Sequence, residues 1–196
     1  MPKKSNSVNC KMANDKKILG ILHMAMGFSS MLRIFKSGTN KKIINKKDEW
    51  IKILKSKNET DFDKRHEEFC NWGVKAIESR NGTGKKVSYG QIAKTLNVLL
   101  KVMVYYCRMP NEEEANRLIP LLHPAIDAQM IEYLCKKYRG KGAPKNIRII
   151  ASVKTKETYN QLRKLVKEEI INGRRFKGLH PVHWDDIKWL ELNEKD

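Results

Sequence analysis

A lysine attacks a carbon electrophile only when its amine is neutral, and partial burial is one way to make it so. Lys94 lies in the stretch SYGQIAKTLNVLLKVMVYYC, residues 88–107, which is otherwise almost wholly apolar. With about 100° between successive helical residues, Ile92, Leu96, Leu99, Met103 and Tyr106 fall on one face. Val98, Leu100, Val102, Val104 and Cys107 widen that face on both flanks. One narrow line stays polar: Lys94, Asn97, Lys101, Tyr105 and Arg108. A helix apolar nearly all round is a central one, and an unpaired buried lysine is costly. The polar line must therefore meet solvent or a cleft. The plain reading is a solvated strip. The sharper one is a cleft for phosphate or for a reacting group. In that cleft Lys94, near the helix start, partly desolvated and close to other cations, has a depressed pKa and acts as a nucleophile. Asp127 is the second candidate. It stands at the start of another core helix, where the dipole favours an anion, and taken alone it reads as a helix cap.

The remaining reactive residue types carry weaker patterns. His180 and His183, with Asp185 and Asp186, have too loose a spacing to specify a metal. His183 reads as a helix-start hydrogen bonder and His123 as a turn residue. Cys10, Cys70, Cys107 and Cys135 form no CxxC and no zinc or iron–sulfur run, so they read as free thiols in a reducing compartment. No metal and no cofactor are expected. Trp50, Trp72, Trp184 and Trp189 read as core or edge aromatics.

Charge narrows the partners. Lys and Arg number 40 against 22 Asp and Glu, a net charge of +18. Such an excess suits a polyanion: DNA, RNA or an anionic membrane surface. Lys85 and Lys86 beside the RNGTGKK turn, with Ser88 and Gly90 at the start of the next helix, are candidate phosphate contacts. So are Lys101 and Arg108 on the polar line, and Lys141 and Lys145 in the loop KYRGKGAPK (137–145). The apolar stretch 18–35 is interrupted by His23 and Arg33 and has no small-residue cleavage site, so it reads as an internal helix or helix pair and not as a signal peptide. No membrane span, a cytoplasmic location and a monomer are expected.

The elements that must position these residues are helical. Residues 1–15 are polar and basic and read as a disordered arm, leaving 16–196 as one helical domain. Helical periodicity covers 16–36, with a break near Gly27, then 48–56 capped by Asp48, and 60–79. Residues 37–47 read as a basic loop and 80–86 as a turn. Ser88 caps the long helix, which Pro110 ends after Arg108. Further helices are expected at 111–119 capped by Asn111, after the His123-Pro124 turn, at 156–172 before Gly173, and at 178–194 with Pro181 in its first turn. Residues 146–153 read as a short strand or an extended link. The fold class is all-α or nearly so.

Three segments, in order, resemble the helix-hairpin-helix DNA glycosylase superfamily. Lys94-Thr95 leads an apolar helix, Pro124-Ala125-Ile126-Asp127 opens another, and Pro181-Val182-His183-Trp184-Asp185-Asp186-Ile187-Lys188-Trp189-Leu190 lies near the end. The closest resemblance is to the archaeal type of 8-oxoguanine DNA glycosylase. It implies a compact multi-helix domain acting on double-stranded DNA as a glycosylase and AP lyase for an oxidised purine. Lys94 takes the place of the Schiff-base lysine, and Asp127 that of the aspartate that stabilises positive charge on the sugar. The family's hairpin glycines are missing, and Gly90 alone precedes Lys94 in YGQIAK. A non-enzymatic helical DNA-binding protein of phage or mobile-element type is the alternative expectation.

Overall fold

The caps chosen by the sequence set most helix starts. In the computed structural model, which describes residues 16–26, 33–80 and 84–194, side chains of Asn58, Ser88, Asn111, Asp127 and Thr155 each accept a backbone N–H three residues on. They open α4 (Glu59–Ala76), α5 (Tyr89–Leu100), α6 (Glu112–Leu118), α7 (Ala128–Lys137) and α8 (Lys156–Asn172). Preceding these are α1 (16–26), α2 (Thr39–Ile44) and α3 (Lys47–Leu54), and α9 (Pro181–Asn193) closes the chain with Pro181 in its first turn. The fold is all-α. Among the described residues the only β pairing is two isolated bridges, Phe35 with Ser79 and Glu78 with Lys86.

Helix α5 is central. Ile92, Ala93, Leu96, Leu99 and Leu100 are fully enclosed, with α4 and α8 against it and the short 3-10 turn Ile150–Ser152 over its start. Helix α3 packs on α4, and α9 packs on α7 and α8. Burial of this kind is the main stabilising term in folding.

Several expectations need correction. The segment 37–47 is not all loop: Thr39–Ile44 is helical, because Thr39 and Ile43 are buried and the Trp50 indole donates to the Ile43 carbonyl at 3.1 Å. Asp48 does not cap α3; Lys46 holds that position and Asp48 lies in the first turn, where its charge still favours the dipole. Residues 146–153 form no strand. Instead Val153 O accepts the Gly90 N–H at 2.9 Å. The segment 88–108 is not one uniform α-helix either. From Lys101 to Tyr106 it is π-helical, with Cys107 N bonded five residues back to Val102 O at 2.9 Å. The expected disordered arm (1–15), the break at Gly27 and the turn tip at 81–83 lie outside the described residues.

Candidate active site

Lys94, in the second turn of α5, lies in the field of two carboxylates: Asp127, which caps α7, and Asp185 in α9. Lys94 is half-buried and makes no hydrogen bond or ion pair among the described residues. Burial pushes its amine below the ordinary lysine range, and the charges of Asp127 and Asp185 oppose that shift. The depression comes from desolvation, with no part played by neighbouring cations. Asp127 caps α7, its Oδ1 accepting Met130 N–H at 2.9 Å. Its capping role and its proximity to Lys94 therefore coexist.

Asp185 is the carboxylate that organises the site. It is only 2% exposed. Its Oδ2 accepts from Lys101 Nζ at 2.9 Å and from Ala125 N–H at 3.1 Å. Lys101 also pairs with Asp186, whose oxygens accept from the Tyr106 hydroxyl at 2.8 and 2.9 Å. Burial alone would lower the Lys101 amine, but Asp185 and Asp186 outweigh it and hold it above the ordinary range. Burial raises the Asp185 carboxyl, opposed first by Lys101.

One turn further along α5, Asn97 begins a buried hydrogen-bond chain. Asn97 Nδ2 donates to Pro124 O at 2.9 Å and to the Tyr159 hydroxyl at 2.8 Å. With both amide hydrogens so placed, its Oδ1 accepts from His66 Nε2 at 2.8 Å. The Tyr159 hydroxyl then donates to His123 Nδ1 at 3.1 Å, and His123 Nε2 donates to Asp63 Oδ1 at 2.6 Å. Arg163 completes the chain with two bonds to Asp63 at 3.0 and 3.2 Å. This assignment uses each donor and acceptor consistently. Burial lowers His66 to about 4 and His123 well below its usual value, so both rings are neutral at pH 7.

Not every expected site residue is brought together. Asn97 leaves the polar line: it is buried, because the helix turns it toward His66 and Tyr159. Lys101 is not a free cation, since two carboxylates hold it. Arg108 is bound to Glu112 and Asn116, in backbone with φ 53°. The phosphate grip expected of Ser88 and Gly90 is corrected as well. Both are buried under the 150–153 turn, Ser88 Oγ donates to Ile150 O at 3.2 Å, and the Gly90 amide is taken by Val153. Lys85, Lys86, Lys141 and Lys145 are exposed, Lys86 with its amine on the Lys75 carbonyl at 2.9 Å.

Comparisons with known protein families, with curated proteins and with solved structures returned no match.

The chemistry rests on the residues themselves. The site offers one amine inclined to neutrality in the field of two carboxylates, Asp127 and Asp185. Two of the protein's cavities lie elsewhere. One, about 340 Å³, opens between α4 and α8 over Asp63, His66, Tyr159 and Arg163, and the other lies beneath the Leu121–Pro124 loop. Neither is lined by Lys94 or Asp127. No group of three or more His, Cys, Asp or Glu side chains that would hold a metal occurs among the described residues. The partners of Asp185 and of Asn97 are not visible in the sequence. Asp185 lies inside the late motif, but only the folded chain brings it to Lys101 and Ala125.

Proposed function

We propose that this protein is a DNA glycosylase and AP lyase that uses Lys94 as its nucleophile. The observation that carries the reading is a half-buried lysine without an ion partner, its amine depressed, in the field of Asp127. A neutral Lys94 Nζ attacks the sugar C1′ as the bond to the base breaks, and the base leaves with the electron pair. The nitrogen then loses a proton and the C1′–O4′ bond breaks, its electron pair and a proton going to O4′. The iminium so formed is cationic, and Asp127, held by its cap bond, stabilises that charge. β-Elimination from the imine then cuts the strand. The target nucleotide must leave the base stack to reach the amine. The net charge of +18 suits the DNA backbone, and exposed Lys85, Lys86, Lys141 and Lys145 serve as phosphate contacts. The choice of an oxidised purine rests on the sequence resemblance.

The test is base release and strand nicking on a duplex bearing 8-oxoguanine. Wild type releases the base and nicks; Lys94→Gln does neither while it still binds the duplex. A second reading, a helical DNA-binding protein without catalysis, is favoured by the net charge of +18 and the exposed lysines, which serve binding without any reacting group. It predicts salt-sensitive retention on DNA with no base release from any lesion.

A further inference from the structure

Four rings follow one another along the seam between the π segment and α9. His180 contacts His183 at 5.3 Å between ring centroids, His183 contacts Tyr105 at 5.2 Å, and Tyr105 contacts Tyr106 at 4.9 Å. Rings on adjoining helices commonly seal an interface, and Tyr105 and His183 do part of that here. Tyr106 does not: it is 57% exposed, yet its hydroxyl is fixed by both oxygens of Asp186. Trp189 and Leu190, three and four residues after Asp186, carry exposed apolar surface one turn further along α9. The charged side chains bordering the row are already paired, Lys101 with Asp185 and Asp186 and Arg108 with Glu112. A phosphate therefore finds neither Lys101 nor Arg108 free, whereas a base finds the exposed ring of Tyr106. The chain as a whole is strongly basic, and exposed lysines lie on the loops at 85–86 and 141–145.

We infer that the row His180, His183, Tyr105 and Tyr106 is a stacking track for the unpaired bases of a nucleic-acid strand, whose phosphates are held by lysines outside it. Aromatic rings accept any base, because every base has a π face. The track therefore confers preference for base-bearing, unstacked strand and not for sequence. It rests on the proposed engagement of DNA and deepens it: the helix that carries Lys94 continues as the π segment, whose rings hold nucleotides made single-stranded around the reacting one. Tyr106 acts through its ring, and the bond to Asp186 sets its pose.

The experiment uses the full chain and two labelled probes roughly ten nucleotides long, within the span of single-strand sites. One is oligothymidylate and the other an abasic strand of equal length and charge. Affinities are measured by fluorescence anisotropy for wild type, Tyr106→Ala and Tyr106→Phe. Tyr106 is exposed, so neither substitution opens the core. The track predicts that wild type prefers the base-bearing strand about tenfold or more. It predicts that Tyr106→Ala loses most of that preference, that Tyr106→Phe keeps it, and that affinity for the abasic strand is the same in all three. Equal affinity of wild type for the two strands overturns the track while leaving the DNA reading standing. So does an alanine variant that keeps the preference. Failure to bind either probe or duplex DNA overturns both.

Discussion

Asn97 and Asp185 hold the two sides of one peptide unit. Pro124 O accepts from Asn97 Nδ2 at 2.9 Å, and the N–H of the same unit, on Ala125, donates to Asp185 Oδ2 at 3.1 Å. Asn97 stands one turn beyond Lys94 on α5, and the clamped unit lies just before Asp127. Asn97 and Asp185 thus fix the peptide unit just before Asp127 relative to α5, the helix that carries Lys94. Asn97→Ala would leave the Pro124 carbonyl, the His66 N–H and the Tyr159 hydroxyl, all buried, short of partners. A loss of roughly 3 kcal/mol is expected from urea unfolding, since each unmet buried group costs about 1–3 kcal/mol. A loss under about 1 kcal/mol would mean that the chain of bonds contributes little.

Asp185→Asn separates the clamp from the charge. Its amide oxygen can still accept from Ala125 N–H, but the negative charge near Lys94 is gone. That charge raises the Lys94 pKa, so its removal lowers it further. More amine is neutral at a given pH, and the acid limb of the rate of imine formation moves to lower pH. An unmoved limb with a weakened fold would leave Asp185 a purely structural residue.

The buried imidazoles predict acid lability. Burial lowers His66 to about 4 from 6.5, so the unfolded chain takes up the proton first. Stability is complete above pH 6.5 and is lost as pH falls from there toward 4. His66 alone contributes a loss of about 3 kcal/mol over that window. His123 is shifted in the same direction and adds to it. Asp63, which His123 and Arg163 hold far below the carboxylate range against its burial, acts only at lower pH. Urea unfolding at a series of pH values measures the slope. A flat profile between pH 6.5 and 4 would contradict the neutral, buried pair.

Much of this was legible in local sequence. Asn111, Ser88 and Gly173 bound helices where their chemistry says they should, and 156–172 is helical over that span. What was hidden depends on partners far along the chain. Asn97 looked polar on a polar line, but His66, Pro124 and Tyr159 satisfy it in the interior. Lys101 looked available until Asp185, 84 residues on, reached it. The π turn shifts the helical spacing after Leu100, so a line drawn at constant spacing from Lys94 to Arg108 does not persist. Helix α2 was missed because its anchor, Trp50, lies beyond it in sequence.

Gly90 tests the corrected role of the α5 start. A Cβ there would lie 2.6 Å from Val153 Cβ and 2.8 Å from Ile150 O. Gly90→Ala is expected to cost about 1–3 kcal/mol by overpacking. Its folded fraction should bind DNA as wild type does, because the Gly90 amide is already committed to Val153. Weaker binding at unchanged stability would return Gly90 to the phosphate contacts.

The most direct test of the central claim is borohydride trapping on a duplex containing 8-oxoguanine, with the adduct mapped by peptide mass spectrometry. A covalent adduct on Lys94, absent in Lys94→Gln, is the predicted result. An adduct on another residue, or trapping undiminished in Lys94→Gln, would contradict it.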